Sequence, residues 1–181
     1  MATPPWQTPP SNANGTPWTA TNIAAVAADL NHVGAPPLCV VTNASSFTVT
    51  TGTFTDCAFD NELEDSDGFH DNVTNNARMT VPANLGGWYQ LRGVIVFPSN
   101  ATGNRTIAFA KNGSLYQQVM VVQASGAGIT ILSGVWDIQL AAGDYVTMQV
   151  WQGSGGTLTI GSYTTGASPA GASFAVRKIS N

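Results

Sequence analysis

The sequence predicts an all-β protein, an antiparallel sandwich or jelly roll of about ten strands, preceded by a Pro-rich extended arm and one short helix. Three observations predict it. Only 9% of the 181 residues are charged, while Gly, Ser, Thr and Asn are abundant. That composition suits a β-rich protein whose surface is made polar by hydroxyls and amides. From Leu38 onward, short β-type runs follow one another between turn signals such as "KNG" and "AAGD". The run "DYVTMQVW" alternates strictly, with Val146, Met148 and Val150 on one side and Tyr145, Thr147, Gln149 and Trp151 on the other.

The arm is assigned to residues 1–20. Its first eighteen residues hold five of the ten prolines, Trp6 and Trp18, and no charge. Pro-Pro pairs favour extended backbone, and such a segment cannot build a core of its own. Trp6 and Trp18 are its natural anchors. The helix and its linker are assigned to residues 21–36. Ile23, Val26, Ala27 and Leu30 follow the spacing of one helical face, Thr21 is a fair N-cap, and Gly34 with Pro36 and Pro37 is a strong stop. So short a helix must pack on something to persist, which adds Ile23, Val26 and Leu30 to the expected attachment residues.

The body is assigned to residues 37–181. Its expected strands lie in "LCVVT", "SFTVTT", "FTDCAF", "RMTVP", "GWYQLRGVIVF", "RTIAFAKNG", "SLYQQVMVVQ", "GITILSGVWDIQL", "GDYVTMQVWQ", "TLTIGS" and "ASFAVRKI". No helix signal separates them, and no repeat of solenoid or propeller length is visible. Tyr145 and Trp151 on the outward side of "DYVTMQVW" are expensive unless covered, either by another subunit or by a second layer of the same chain.

Charge excludes several functions. The net charge is −4, and the six cationic residues (Arg78, Arg92, Arg105, Lys111, Arg177, Lys178) are scattered. No basic stripe exists to neutralise phosphates, so a nucleic-acid partner is not expected. No apolar run approaches membrane-spanning length. The N-terminus has neither the basic start nor the apolar core of a secretory signal, so any extracellular role is expected to be reached by another route, such as cell lysis. Cys39 and Cys57 form no CxxC and read first as buried free thiols, with a mutual disulfide as the alternative.

One stretch stands apart. "FDNELEDSDGFHDN", residues 59–72, carries six acidic side chains and His70 in a chain otherwise almost uncharged. Its carboxylates are hard ligands, and Asp60, Glu62, Asp65 and Asp67 are the candidates for a divalent ion such as Ca2+. The full spacing of a calcium loop is absent, however. Glycoside hydrolysis needs a fixed pair of carboxylates, and nothing selects one. His70 has no recognisable nucleophile partner, and neither GxSxG nor HExxH occurs. The expected role is a connecting loop whose Asp and Asn side chains cap its own backbone amides. No catalytic residue and no cofactor are expected.

Phe59, then "RMTVPANLGGWYQLRG", "FAKNGSLY", "IQLAAGDYVTMQVWQ" and a closing "SFAVRKI" together resemble the jelly-roll domain shared by C1q and tumour necrosis factor. The shared pieces are an early phenylalanine, a Pro-Gly-Tyr step, a Lys-Asn-Gly hairpin and a Leu-x-x-Gly-Asp-x-Val strand. The resemblance spans residues 38–180 and implies a homotrimer, with Tyr145 and Trp151 as interface candidates. A narrower resemblance rests on "DLNHVGAPPLCVV", "FDNELEDSDGFHDN" and "NATGNRTIAFAKNG". These are similar to the form of the domain found in structural proteins of tailed phages. The implied function is a non-enzymatic protein on the virion exterior, a trimeric capsid decoration or minor tail protein. Its arm would fasten it to other virion proteins such as the major capsid or tail protein. The alternative is a tail-fibre module that binds a host glycan or surface protein, through Trp136 or Trp151 stacking on sugar.

Overall fold

A computed structural model describes residues 18–126, 128–163 and 171–180, the side chains of 28, 29 and 31–33 excepted. Trp6 and the rest of the arm up to residue 17 lie outside the described residues. The chain divides into two compact units, Met1–Pro36 and Pro37–Asn181.

In the first unit, α1 runs Ala20–Gly34. The sequence places the N-cap at Thr21; it is Thr19. The Thr19 hydroxyl accepts the Asn22 N–H at 3.2 Å, and its carbonyl accepts the Ile23 N–H at 3.0 Å, so an orphan amide of the first turn is satisfied there. Ile23, Val26 and Leu30 are exposed on α1, and Trp18 just before it is half-buried. No described helix is long and apolar enough to cross a membrane.

The second unit contains twelve described strands. They are β1 (Leu38–Thr42), β2 (Phe47–Val49), β3 (Thr55–Asp56), β4 (Asn61–Asp65), β5 (Arg78–Thr80), β6 (Gly87–Phe97), β7 (Asn104–Lys111), β8 (Ser114–Gln123), β9 (Thr130–Leu140), β10 (Tyr145–Gln152), β11 (Leu158–Ile160) and β12 (Gly171–Ser180). One sheet has the order β4-β1-β12-β6-β9. The other has β3-β10-β7-β8, with β5 also on β10, and β11 pairs β2. Every expected run contains a strand. The addition is β4, inside the acidic stretch expected to be a loop. Its residues pair with β1 across a bulge at Val40/Val41. Glu64 is exposed on this sheet edge, and a charge there is a common protection against further strand pairing.

Turn chemistry fixes the long hairpins. Asn112 (φ 50°) and Gly113 (φ 79°) both lie in the left-handed region between β7 and β8. That is the demand of a two-residue type I′ turn, which Asn-Gly meets at low cost. At the β9–β10 turn, the Asp144 carboxylate accepts from Lys111 Nζ, Asn112 Nδ2 and the Ala141 amide, each at 2.8 Å. These contacts tie the two hairpins together, and the Lys111 and Asn112 bonds hold the Asp144 carboxyl at about 2, below the ordinary 3.8. A depressed carboxyl stabilises the fold fully above its unfolded pKa, and that share is lost as pH falls from about 4 toward 2. Asp144→Asn should therefore flatten the pH dependence of the urea midpoint in that window, with a lower midpoint at neutral pH.

The core lies between the two large sheets. Phe174 stacks on Phe59 at 6.0 Å and on Phe109 at 5.6 Å between ring centroids. Gly93 faces Phe174 across the β6–β12 ladder. A Cβ at Gly93 would stand 2.5 Å from Met148 Sδ and 3.1 Å from Ile107 Cδ1, so the glycine leaves room for large neighbours from the opposite sheet. Cys39 and Cys57 are buried and free. Burial pushes both thiols well up, with Asp65 adding to the effect at Cys39 and Asp56 at Cys57, which makes them poor nucleophiles at neutral pH.

Arg105 is the largest fully buried side chain. Its guanidinium donates to the carbonyls of Asn100, Thr102 and Asn104 and lies 5.6 Å from the Phe97 ring centroid. The β6–β7 loop is thus folded around a cation. Arg105→Met keeps the apolar stem but orphans these carbonyls, and should cost about 1–3 kcal/mol in urea denaturation.

Candidate interaction surfaces

The acidic stretch disperses its carboxylates rather than gathering them. Asp60 reaches back to accept the Ala44 and Ser45 amides. Burial pushes its carboxyl up, but the Ser45 hydroxyl and those two amides outweigh it and hold the group below the ordinary range. Asp65 accepts from the Gly68, Phe69 and His70 amides. Asp67 accepts the Ser66 hydroxyl at 2.6 Å. Asp71 accepts from the Thr74 and Val73 amides at 2.8 Å each, and these bonds hold its carboxyl down. Capping of the stretch's own amides, expected from the sequence, is seen at Asp65, while Asp71 caps the two amides just beyond the stretch. Asp60, Glu62, Asp65 and Asp67 point to four different partners. Among the described residues no group of three or more His, Cys, Asp or Glu is placed to hold a metal ion.

His70 is a strut. Its side chain is fully buried, with Nδ1 3.0 Å from Glu62 Oε1 and Nε2 3.0 Å from the Asn76 carbonyl. A carbonyl only accepts, so Nε2 carries a proton and donates it. With both ring nitrogens engaged, the imidazole joins β4 to the turn before β5 and has no nitrogen left for a substrate.

Tyr145 and Trp151 are both half-buried on the outward side of β10. The Arg78 guanidinium stacks 5.0 Å from the Tyr145 ring centroid, and the Trp151 ring lies so close to Gly153 that a Cβ there would meet it at 2.7 Å. Their own chain covers part of each.

A larger apolar surface lies on the other sheet. Val94, Ile131 and Val135 are exposed on the outward side of β6 and β9, and Val135 reaches 53%. In register, Val96 faces Ile131 and Val94 faces Ser133, while β12 contributes Gly171, Ser173 and Ala175 alongside. Small residues there let another surface approach closely. Trp88 and Trp136 are also exposed, at 43% and 38%. Nearby, the edge strand β8 carries no charge and exposes Leu115, Tyr116, Met120 and Val121. The sequence holds a signal for this surface. "GVIVF" is apolar at successive positions and "ITIL" at all but Thr130, and a strand apolar on both sides expects cover on both.

Solved structures similar to this chain carry the same arrangement of sheets. The globular domain of zebrafish complement 1qA matches with a TM-score of 0.55 and 15% identity, over 80% of this chain and 98% of its own. Murine APRIL matches at 0.56 and 12%, over 79% and 98%. Eiger TNF from S. frugiperda matches at 0.53 and 10%, over 80% and 93%. The fold is the C1q/TNF jelly roll. No protein-family model matches the sequence, and no curated protein matches it. Identities this low carry the fold alone. Within this jelly roll, the exposed Val94, Ile131 and Val135 belong to the sheet that contains β1 and β12, with β9 at its edge, and β8 is an edge of the other sheet.

Proposed function

We propose that the chain is a non-enzymatic structural protein on the exterior of a tailed-phage virion. It is a trimeric capsid decoration or minor tail protein, attached to the particle by its N-terminal arm. One observation carries the trimer: Val94, Ile131 and Val135 form an exposed apolar patch, with buried Val96 opposite Ile131 and exposed Arg92 opposite Val135, next to an uncharged edge strand. Contiguous exposed apolar area of this kind marks an interaction site, and threefold closure of one copy's edge against another's face would cover both without leaving a free end. The proposed interface therefore lies on the β6–β9 face and the β8 edge, in addition to or in place of Tyr145 and Trp151. The absence of a catalytic role is supported by His70, whose nitrogens are both engaged, and by carboxylates that diverge. The virion setting is supported by the three segments that resemble tailed-phage structural proteins.

Attachment through the arm has a direct test. Residues 1–20 contain no charge, so docking must rest on apolar burial and backbone hydrogen bonds. Each tryptophan buried is worth roughly 2–3 kcal/mol, and three arms act together through effective concentration. Deleting residues 1–20 should leave a folded, soluble jelly roll that no longer joins particles, and raised salt should not strip the intact protein. Wild-type occupancy by the truncated protein would assign docking to the jelly roll instead. The host-surface reading has exposed Trp136 in its favour, and binding to a glycan array, lost in Trp136→Ala, would favour that reading.

A further inference from the structure

Beside β5 lies a cavity of about 260 Å³, whose lining includes His70, Asp71, Thr74, Arg78 and Thr80. The geometry points to a binding site for one acidic sugar unit, its carboxylate held by Arg78 and its hydroxyls by Thr74, Thr80 and Asp71. This inference stands apart from where the protein is mounted and from its oligomeric state.

Arg78 is the first reason. The residue is half-buried, and its guanidinium carbon lies over the Tyr145 ring, 5.0 Å from the centroid. Among the described residues, no carboxylate lies within ion-pair distance of it, whereas Lys111 is paired with Asp144 and Arg105 is enclosed by carbonyls. The ring holds the guanidinium in place, and its N–H groups have no acceptor among the described residues. A preorganised guanidinium fork matches a carboxylate with two parallel hydrogen bonds. Arg78 and Thr80 are two apart on β5, on the side opposite buried Met79, so their side chains share the cavity wall.

The rest of the wall selects a sugar over a bare anion. Neither the Thr74 nor the Thr80 hydroxyl has a partner among the described residues, so both can donate and accept. Asp71 accepts two amides of its own turn, which hold its carboxyl below the ordinary range, and as an acceptor it suits a sugar hydroxyl rather than a second anionic group. The volume falls just below the roughly 300 Å³ at which small-molecule sites begin, which admits one pyranose ring. The walls are braced as well: His70 ties Glu62 to Asn76, and the Phe69 carbonyl accepts the Thr80 amide at 2.7 Å.

The test is a titration of the isotopically labelled full chain, followed by amide resonances, with glucuronate, glucose and acetate as matched probes. Glucuronate should shift amides of residues 68–80 saturably in the millimolar range. Glucose, lacking the carboxylate, and acetate, lacking the hydroxyls, should each bind at least about tenfold more weakly. Arg78→Gln should lose glucuronate by a similar factor. Thr80→Val, which keeps the guanidinium on its tyrosine, should weaken binding several-fold and carries the test if Arg78→Gln does not fold. Absence of saturable shifts in residues 68–80 with glucuronate, galacturonate and N-acetylneuraminate would overturn the inference. So would equal binding of glucose or of acetate.

Discussion

Phe174→Ala should lower stability by about 3–5 kcal/mol, read as a fall in the urea midpoint with little change in slope. Phe174 is the middle ring of the Phe59–Phe174–Phe109 stack and is 1% exposed. Truncation removes its transfer free energy and leaves a cavity between two sheets. Its cross-strand neighbour is Gly93, which has no side chain to move in. Each lost ring contact adds about 0.5–1.5 kcal/mol. A domain of this kind has about 5–15 kcal/mol in total, so the loss is a large share of it. Phe174→Leu, which keeps most of the volume, should cost about half as much. A cost under about 1 kcal/mol for the alanine variant would mean that the aromatic stack does not hold the sheets together.

Val94→Arg should convert the proposed trimer to monomer while leaving the melting temperature of the isolated jelly roll nearly unchanged. Val94 is exposed in the single chain, so an arginine there is tolerated in water. In an interface it would be a desolvated, unpaired charge, which costs several kcal/mol per copy, and threefold symmetry applies that cost three times. Trp151→Asp is the informative comparison. Dissociation by Val94→Arg alone places the interface on β6 and β9. Dissociation by Trp151→Asp alone returns it to the outward side of β10, the position inferred from sequence.

Much of the fold was legible because its signals are local. Asn112-Gly113 specifies a type I′ hairpin whatever surrounds it, and strict alternation in Tyr145–Trp151 fixes which side of β10 faces the core. β4 was hidden because Asn61–Asp65 is dominated by charge, and its strand conformation comes from pairing with β1 rather than from its own preference. The helix cap was misplaced from Thr19 to Thr21, since two threonines compete and only geometry decides which hydroxyl meets an amide. Arg105 read as one of six scattered cations; the carbonyls that enclose it come from the folding of the β6–β7 loop. The candidate surface was the least legible part. Alternation separates the two sides of a strand but does not say which sheet carries uncovered apolar area, and in the sequence Tyr145 and Trp151 stand out only by size. The pocket at Arg78 depends on a stack with Tyr145, 67 residues away in sequence.

Association is the central claim, and light scattering of the intact chain across a broad dilution series tests it most directly. A closed threefold assembly should give a mass near three times 18.8 kDa, constant through the micromolar range. A mass of 18.8 kDa at every concentration would contradict it and leave the apolar β6–β9 face to another partner.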